Sequence, residues 1–154
     1  DFIMVGDGDL AADCRDFAQA ENLQNLEFIA YHKNTPELLS SLDGLISTSK
    51  FEGLPIVLLE SLCVGTPAFC ADVCEIGPLL EETDCGHSYP KTLSFDQTYQ
   101  KFLTFIEDLD RLKIKALAQR DETLNRFSTK TIAASYQSLF NRELNVNQRN
   151  ALAT

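Results

Sequence analysis

Short apolar runs alternate with amphipathic stretches along the first half of the chain. Residues 2–6, FIMVG, are apolar throughout and stop at the turn sequence GDGD. A run this short and this apolar predicts a strand buried in a parallel sheet. Leu10, Ala11, Cys14, Phe17 and Ala18 then recur at helical spacing over 10–21, with Asp9 as the expected N-cap. LEFIAY at 26–31 reads as a second strand. TPELLSSL at 35–42 reads as a short helix with Thr35 as cap and Pro36 at its first position. GLISTS at 44–49 is a third strand, and FEGLP is a turn punctuated by Gly and Pro. IVLLESLCVG at 56–65 is a helix closed by Gly65, and TPAFCA at 66–71 is a fourth strand. Strand and helix alternating through short connections define an α/β domain, a parallel sheet covered on both faces with right-handed crossovers.

Beyond residue 75 the rhythm changes. GPLLEE at 77–82 predicts a short helix or turn, and GHSY at 86–89 a last, short strand. Residues 96–109 and 111–124 are helical, with Tyr99, Phe102, Phe105, Ile106 and Leu109 on one face. A further helix spans 129–142, capped by Ser128 or Thr129, with the stripe Ile132, Ala133, Tyr136, Leu139 and Phe140. The segment NVNQRNALAT carries no packing pattern. The domain is therefore expected over 1–144, with a frayed tail at 145–154. The chain opens inside an apolar strand, as a fragment of something longer would.

Composition narrows the classes of function. With 154 residues and 44% apolar positions the chain can bury a core. Its net charge of −10 opposes nucleic-acid binding and unaided docking on anionic lipid. No run approaches the length of a membrane span. Five cysteines occur, with no CxxC spacing. Cys63, Cys70 and Cys74 lie in or beside apolar runs, which suits reduced core thiols in a reducing compartment.

Candidate chemistry follows from strand direction. In open parallel sheets, ligands bind beyond the carboxyl ends of the strands. That rule selects the loops at 6–9, 31–34, 49–55 and 71–77. In the third of these, S-K-F-E-G-L-P runs straight into a helix. The N–H groups around Gly53, Leu54 and Ile56 face out of the helix start and could receive a phosphate. An ordinary turn whose amides meet water explains the same residues. Glu60, on an otherwise apolar helix, is either solvated or bonded to a ligand such as a pair of ribose hydroxyls. Asp7 and Asp9 would repel a pyrophosphate at GDGD. Asp72 ends a strand at the functional edge or acts as a cap. His32 and His87 lack partners at metal-site spacing, and Cys85 with His87 lacks a third orienting group.

The run FEGLPIVLLESLCVGTP, from Phe51 to Pro67, resembles the signature of family 4 glycosyltransferases of the two-domain GT-B fold. It contains Glu52-Gly53-Leu54-Pro55, Leu58-Leu59-Glu60-Ser61-Leu62 and Gly65-Thr66-Pro67. The flanking segments FIMVGDGDL, NLEFIAY, SLDGLISTSKFEG and RFSTKTIAASYQSLF resemble the family's donor domain as well, over roughly residues 2–140. The chain departs from the pattern at Ala30, where the family usually has Gly, and over Ala71–Pro78, where a Gly-Gly is replaced.

This resemblance implies a Rossmann-like, three-layer domain, the C-terminal, nucleotide-sugar-binding half of a GT-B architecture lacking its first strand. It implies a retaining glycosyltransferase that moves a hexose from a nucleotide-diphosphate sugar, a UDP- or GDP-sugar, to a glycan or lipid-linked acceptor. Glu52 is the implied catalytic residue beside the donor sugar. Gly53, Leu54 and Ile56 meet sugar and diphosphate through their amides, Glu60 holds the ribose, and Tyr31 and His32 wall the base pocket. No metal or other cofactor is implied. The acceptor would reach the site through an N-terminal domain outside this chain, so the isolated segment is expected to be inactive. The implied location is cytoplasmic, peripheral at the inner membrane face through that absent domain. A different class, a non-catalytic GT-B-like binding or scaffold module, is the alternative.

Overall fold

A computed structural model describes the backbone of residues 1–151 and the side chains of residues 1–142. The chain divides into two compact units, Asp1–Leu38 and Leu39–Thr154.

In the first unit, β1 (Phe2–Val5) pairs in parallel with β2 (Leu26–Ile29), Phe2 opposite Leu26 and Val5 opposite Ile29. α1 (Ala11–Ala20) connects them. The Arg15 guanidinium of α1 lies 5.6 Å from the centre of the Phe28 ring. β1 forms where its apolar run predicts a strand, but the expected burial does not follow. Phe2, Ile3, Met4 and Val5 are all exposed, because β1 has one paired neighbour, β2, among the described residues. Asp9 does not cap α1. The cap position is Leu10, with no side-chain bond, and the Ala11 amide instead donates to the Gly8 carbonyl at 2.8 Å. Ala18 is buried, while Leu10 and Phe17 of the expected apolar face are exposed.

α2 (Thr35–Ser40) contains the boundary between the units. Its cap is Asn34 rather than Thr35. The Asn34 side chain accepts from the Glu37 amide at 3.4 Å and donates to the Glu37 carboxylate at 2.7 Å. An amide side chain can do both, which a threonine hydroxyl does less well.

The second unit holds a three-stranded parallel sheet in the order β3 (Leu45–Ser47), β4 (Ala68–Ala71), β5 (Gly86–Tyr89). All four residues of β4 are buried, as a strand covered on both faces requires. Ala68 and Cys70 face a cluster with Leu58 and Leu62 of α3 (Ile56–Val64), Leu79 and Leu80 of α4 (Ile76–Thr83), and Ala116 of α6 (Leu109–Arg126). Phe69 and Ala71 face the opposite cluster with Tyr89, Leu112 and Phe105 of α5 (Phe95–Glu107). The Phe69 ring stacks on Tyr89 at 4.9 Å and meets Phe102 edge-on at 5.6 Å. The alternation along one strand thus builds a three-layer unit.

Helix ends obey local chemistry. Gly65 closes α3 with a left-handed φ of 83°. Ser94 and Gln97 form a reciprocal capping box at the start of α5. Ser128, one of the two expected caps, accepts from the Thr131 amide at 3.1 Å at the start of α7 (Thr129–Ala151). Other expectations need correction. On α5, Phe105 is buried and Phe102 half-buried, but Tyr99 and Ile106 are exposed, since a single strand-covering seam occupies only part of the helix. Ile132, Tyr136, Leu139 and Phe140 of α7 are exposed too, with no element laid over them among the described residues. The α7 backbone runs past the expected helix end at 142 to Ala151, and only the last three residues of the tail expected to fray at 145–154 lie outside the described backbone.

All five cysteines are unpaired thiols. Cys70 and Cys85 are buried and Cys63 half-buried, but Cys74 is exposed at a left-handed φ of 47°. It sits in the β4–α4 loop, beyond the end of the apolar strand. Burial pushes the Cys70 thiol up to about 12 and the Cys85 thiol upward as well, which keeps both in the inert form.

Candidate functional site

The loop between β3 and α3 leaves the carboxyl end of a parallel strand and opens directly into a helix. Pro55 stands at the N-cap of α3 with extended backbone (φ −68°, ψ 132°) and no side-chain cap. Its carbonyl accepts from the amides of Leu58 at 3.1 Å and Leu59 at 3.3 Å. Ile56 and Val57 precede any intrahelical acceptor, so their N–H groups are first-turn donors. Gly53 and Leu54 donate to no backbone carbonyl among the described residues. Four amides therefore stand at one helix entrance, biased toward an anion by the helix dipole.

Two carboxylates frame this entrance. Glu52 lies in the turn and Glu60 one turn along α3 from Ile56, on the face opposite the buried Leu58, Ser61 and Leu62. Both are half-buried, and neither forms a hydrogen bond or ion pair among the described residues. Phe51 is 88% exposed and Ile56 73% exposed, so two large apolar side chains flank the turn on its open side.

The turn is anchored at each end. Leu54 packs against the core cluster of α3, α4 and α6. At the other end, Lys91 donates from Nζ to the Lys50 carbonyl at 2.9 Å, and the same ammonium lies 5.5 Å from the centre of the Phe51 ring. Lys91 follows β5, at the carboxyl end of the last strand. Sequence reasoning did not select it. The strand-end rule, applied to β5 as to the earlier strands, would have pointed to that loop.

The remaining candidates are dispersed. Gly53, Leu54, Ile56, Glu52 and Glu60 share the turn and helix of the second unit, whereas Tyr31 and His32 belong to the first. Tyr31 is exposed, and His32 Nδ1 is shielded from solvent with no hydrogen-bond partner among the described residues. Asp72 ends β4, its amide donating to the Tyr89 carbonyl at 2.8 Å and its side chain lying against Gly77. It lines a groove of about 580 Å³ with Glu81, His87 and Lys101, away from the 52–60 turn residues. Cys85 and His87 do not form a pair. The thiol donates to the Thr83 carbonyl at 3.1 Å, while His87 Nε2 faces Asp108 at 3.1 Å. Among the described residues no three His, Cys, Asp or Glu side chains are grouped as metal ligands, and no helix is long and apolar enough to cross a membrane.

The three-layer, Rossmann-like α/β fold is that of the C-terminal domain of GT-B enzymes. The chain belongs to the family of glycosyl transferases group 1, whose family model matches residues 1–121. This corrects the numbered family suggested by the motif: the match is to group 1, not family 4. The Glu52–Pro67 run encodes a turn, a helix and two carboxylates, and that local geometry does not fix a family number. The chain is 37% identical over 67 residues to the Vi polysaccharide biosynthesis protein VipC/TviE of Salmonella typhi, covering 43% of this chain and 12% of that protein. It is 30% identical over 74 residues to the Escherichia coli UDP-Gal:alpha-D-GlcNAc-diphosphoundecaprenol alpha-1,3-galactosyltransferase, covering 47% of this chain and 19% of that one. The structure of Anabaena Alr3699/HepE in complex with UDP matches 91% of this chain and 40% of its own, with a TM-score of 0.76 at 22% identity. The chain thus spans between 12% and 24% of the length of the curated relatives it matches.

Proposed function

We propose that this chain is the donor-binding half of a retaining glycosyltransferase that transfers a hexose from a UDP- or GDP-sugar to a glycan or lipid-linked acceptor. The observation that carries this reading is the helix entrance at 52–60, where four unengaged amides stand between two unpartnered carboxylates. The names of the relatives agree: one uses UDP-Gal, and one solved neighbour holds UDP.

Each group then has a task. The amides of Gly53, Leu54, Ile56 and Val57 meet the diphosphate, whose negative charge grows as the sugar leaves. Preorganised N–H donors favour that charge in the transition state over the ground state. Glu60 accepts two ribose hydroxyls and sets the register of the nucleotide. Glu52 sits beside the donor sugar and holds its hydroxyls at the reacting centre. Tyr31 and His32, on the loop after β2, are assigned to the base by the family resemblance alone. Charge stabilisation by amides and basic side chains needs no metal in this scheme. The acceptor enters from a second domain, at the cytoplasmic face of a membrane.

Turnover by the full-length protein tests the proposal. UDP- and GDP-sugars are offered with a lipid-linked or glycan acceptor, and the anomeric configuration of the product is read by NMR. The expected outcome is a product that retains the donor configuration, with Glu52→Gln lowering kcat at least about a hundredfold, the scale of one well-placed charged group. Nucleotide binding without transfer of any sugar would favour a scaffold module. Transfer with inversion would refute the retaining assignment.

A further inference from the structure

The turn that presents Glu52 and Gly53 has few restraints of its own. From Lys50 to Leu54, no residue donates a backbone hydrogen bond to another carbonyl among the described residues. Before it, the Ser47 and Ser49 hydroxyls meet each other at 3.3 Å within the same strand end. After it, Leu54 is held by the core. The long-range tether at the front of the turn is Lys91, which reaches back from the loop after β5. Its ammonium engages two consecutive residues at once, the Lys50 carbonyl and the Phe51 ring. These are two different interactions, a charge-assisted hydrogen bond and a cation–π contact, and together they fix both the path of the backbone and the side on which the ring lies.

We infer that Lys91 is a positioning residue of the donor site: it holds the front of the 50–54 turn so that the Glu52 carboxylate and the Gly53 amide are presented to the donor sugar. The inference deepens the proposed function and rests on it. A turn pinned at Leu54 alone would swing about that point, and Glu52, two residues away, would move with it. Small displacements of a group beside the reacting atoms cost rate more than affinity. Lys91 touches neither donor nor acceptor in this scheme and acts through Lys50 and Phe51.

The test compares the full-length wild type with Lys91→Met and Lys91→Arg. Methionine keeps an unbranched stem and removes the charge and its donors. Arginine keeps both. Three readouts separate the causes. Backbone 15N order parameters without ligand are expected to fall over residues 50–53 in Lys91→Met, toward the flexible range below about 0.6, and to stay near the rigid value of about 0.85 in α3 and β4. With donor and acceptor, kcat is expected to fall about fivefold to tenfold, the scale of one net hydrogen bond, while the UDP or GDP dissociation constant changes less than about twofold. Lys91→Arg is expected to restore most of both. Unchanged order parameters at 50–53 in Lys91→Met would overturn the inference even if the wild type binds nucleotide and turns over. So would a loss of nucleotide affinity as large as the loss of kcat. Failure of the wild type to bind UDP or GDP, with the order parameters responding as expected, would sink the sugar-nucleotide reading instead and leave Lys91 no donor to serve.

Discussion

At the scale of the residue, the glycines show what the sheet and its flanking helix demand. An added Cβ on Gly86, the first residue of β5, would collide with the backbone carbonyl and backbone nitrogen of Ala68 on β4. Backbone in a paired strand cannot step aside, so the strain has no outlet. Gly86→Ala is expected to cost about 2–3 kcal/mol, the range for overpacking a tight site, read as a fall in Tm. An added Cβ on Gly77 would instead meet the Asp72 carboxylate. A side chain can turn away, so Gly77→Ala should cost less, and Asp72→Ala in the same chain should recover most of the loss. Equal costs at both glycines would contradict this contrast. Glu52 and Glu60 were legible at this scale, because a carboxylate on an apolar helix and another in a Gly-Pro turn stand out from their surroundings. Lys91 was not legible. Nothing in PKT at 90–92 announces that one ammonium crosses forty residues of sequence to reach a carbonyl.

At the scale of the element, Arg111 ties the start of α6 to two other junctions. It donates to Asp108 at the α5–α6 boundary and to Asp84, 2.6 Å away at the end of α4. The Arg111 hydrogen bonds hold both carboxyls below their ordinary value of 3.8. A carboxyl with a folded pKa below its unfolded one adds stability above the unfolded value, and loses it as pH falls through the folded value. Thermal melts should therefore show Arg111→Met less stable than wild type near neutral pH, with the gap closing below about pH 4. A gap that stays constant down to about pH 3 would refute the assignment. The order of elements was readable from the sequence because short strands and amphipathic helices carry different periods. Their caps and exposed faces were less so. Asn34 displaced Thr35 because its amide both accepts and donates, and Tyr99 and the stripe on α7 are exposed because periodicity marks an apolar face without saying what covers it.

At the scale of the whole molecule, the three-layer second unit brings a parallel-strand end, a helix entrance and two carboxylates into one segment of chain. The first unit carries Tyr31 and His32 on the loop after β2. The family follows from the match over residues 1–121, and the chemistry proposed for it depends on whether Glu60 grips a nucleotide. Calorimetric titration of UDP and GDP into the full-length protein and its Glu60→Ala variant measures this directly. The expected result is binding of one nucleotide by the wild type and a loss of about 1–3 kcal/mol in the variant, the contribution of one charged hydrogen-bonding group. The same affinity in both proteins, or no binding of either nucleotide by the wild type, would contradict the proposed donor site.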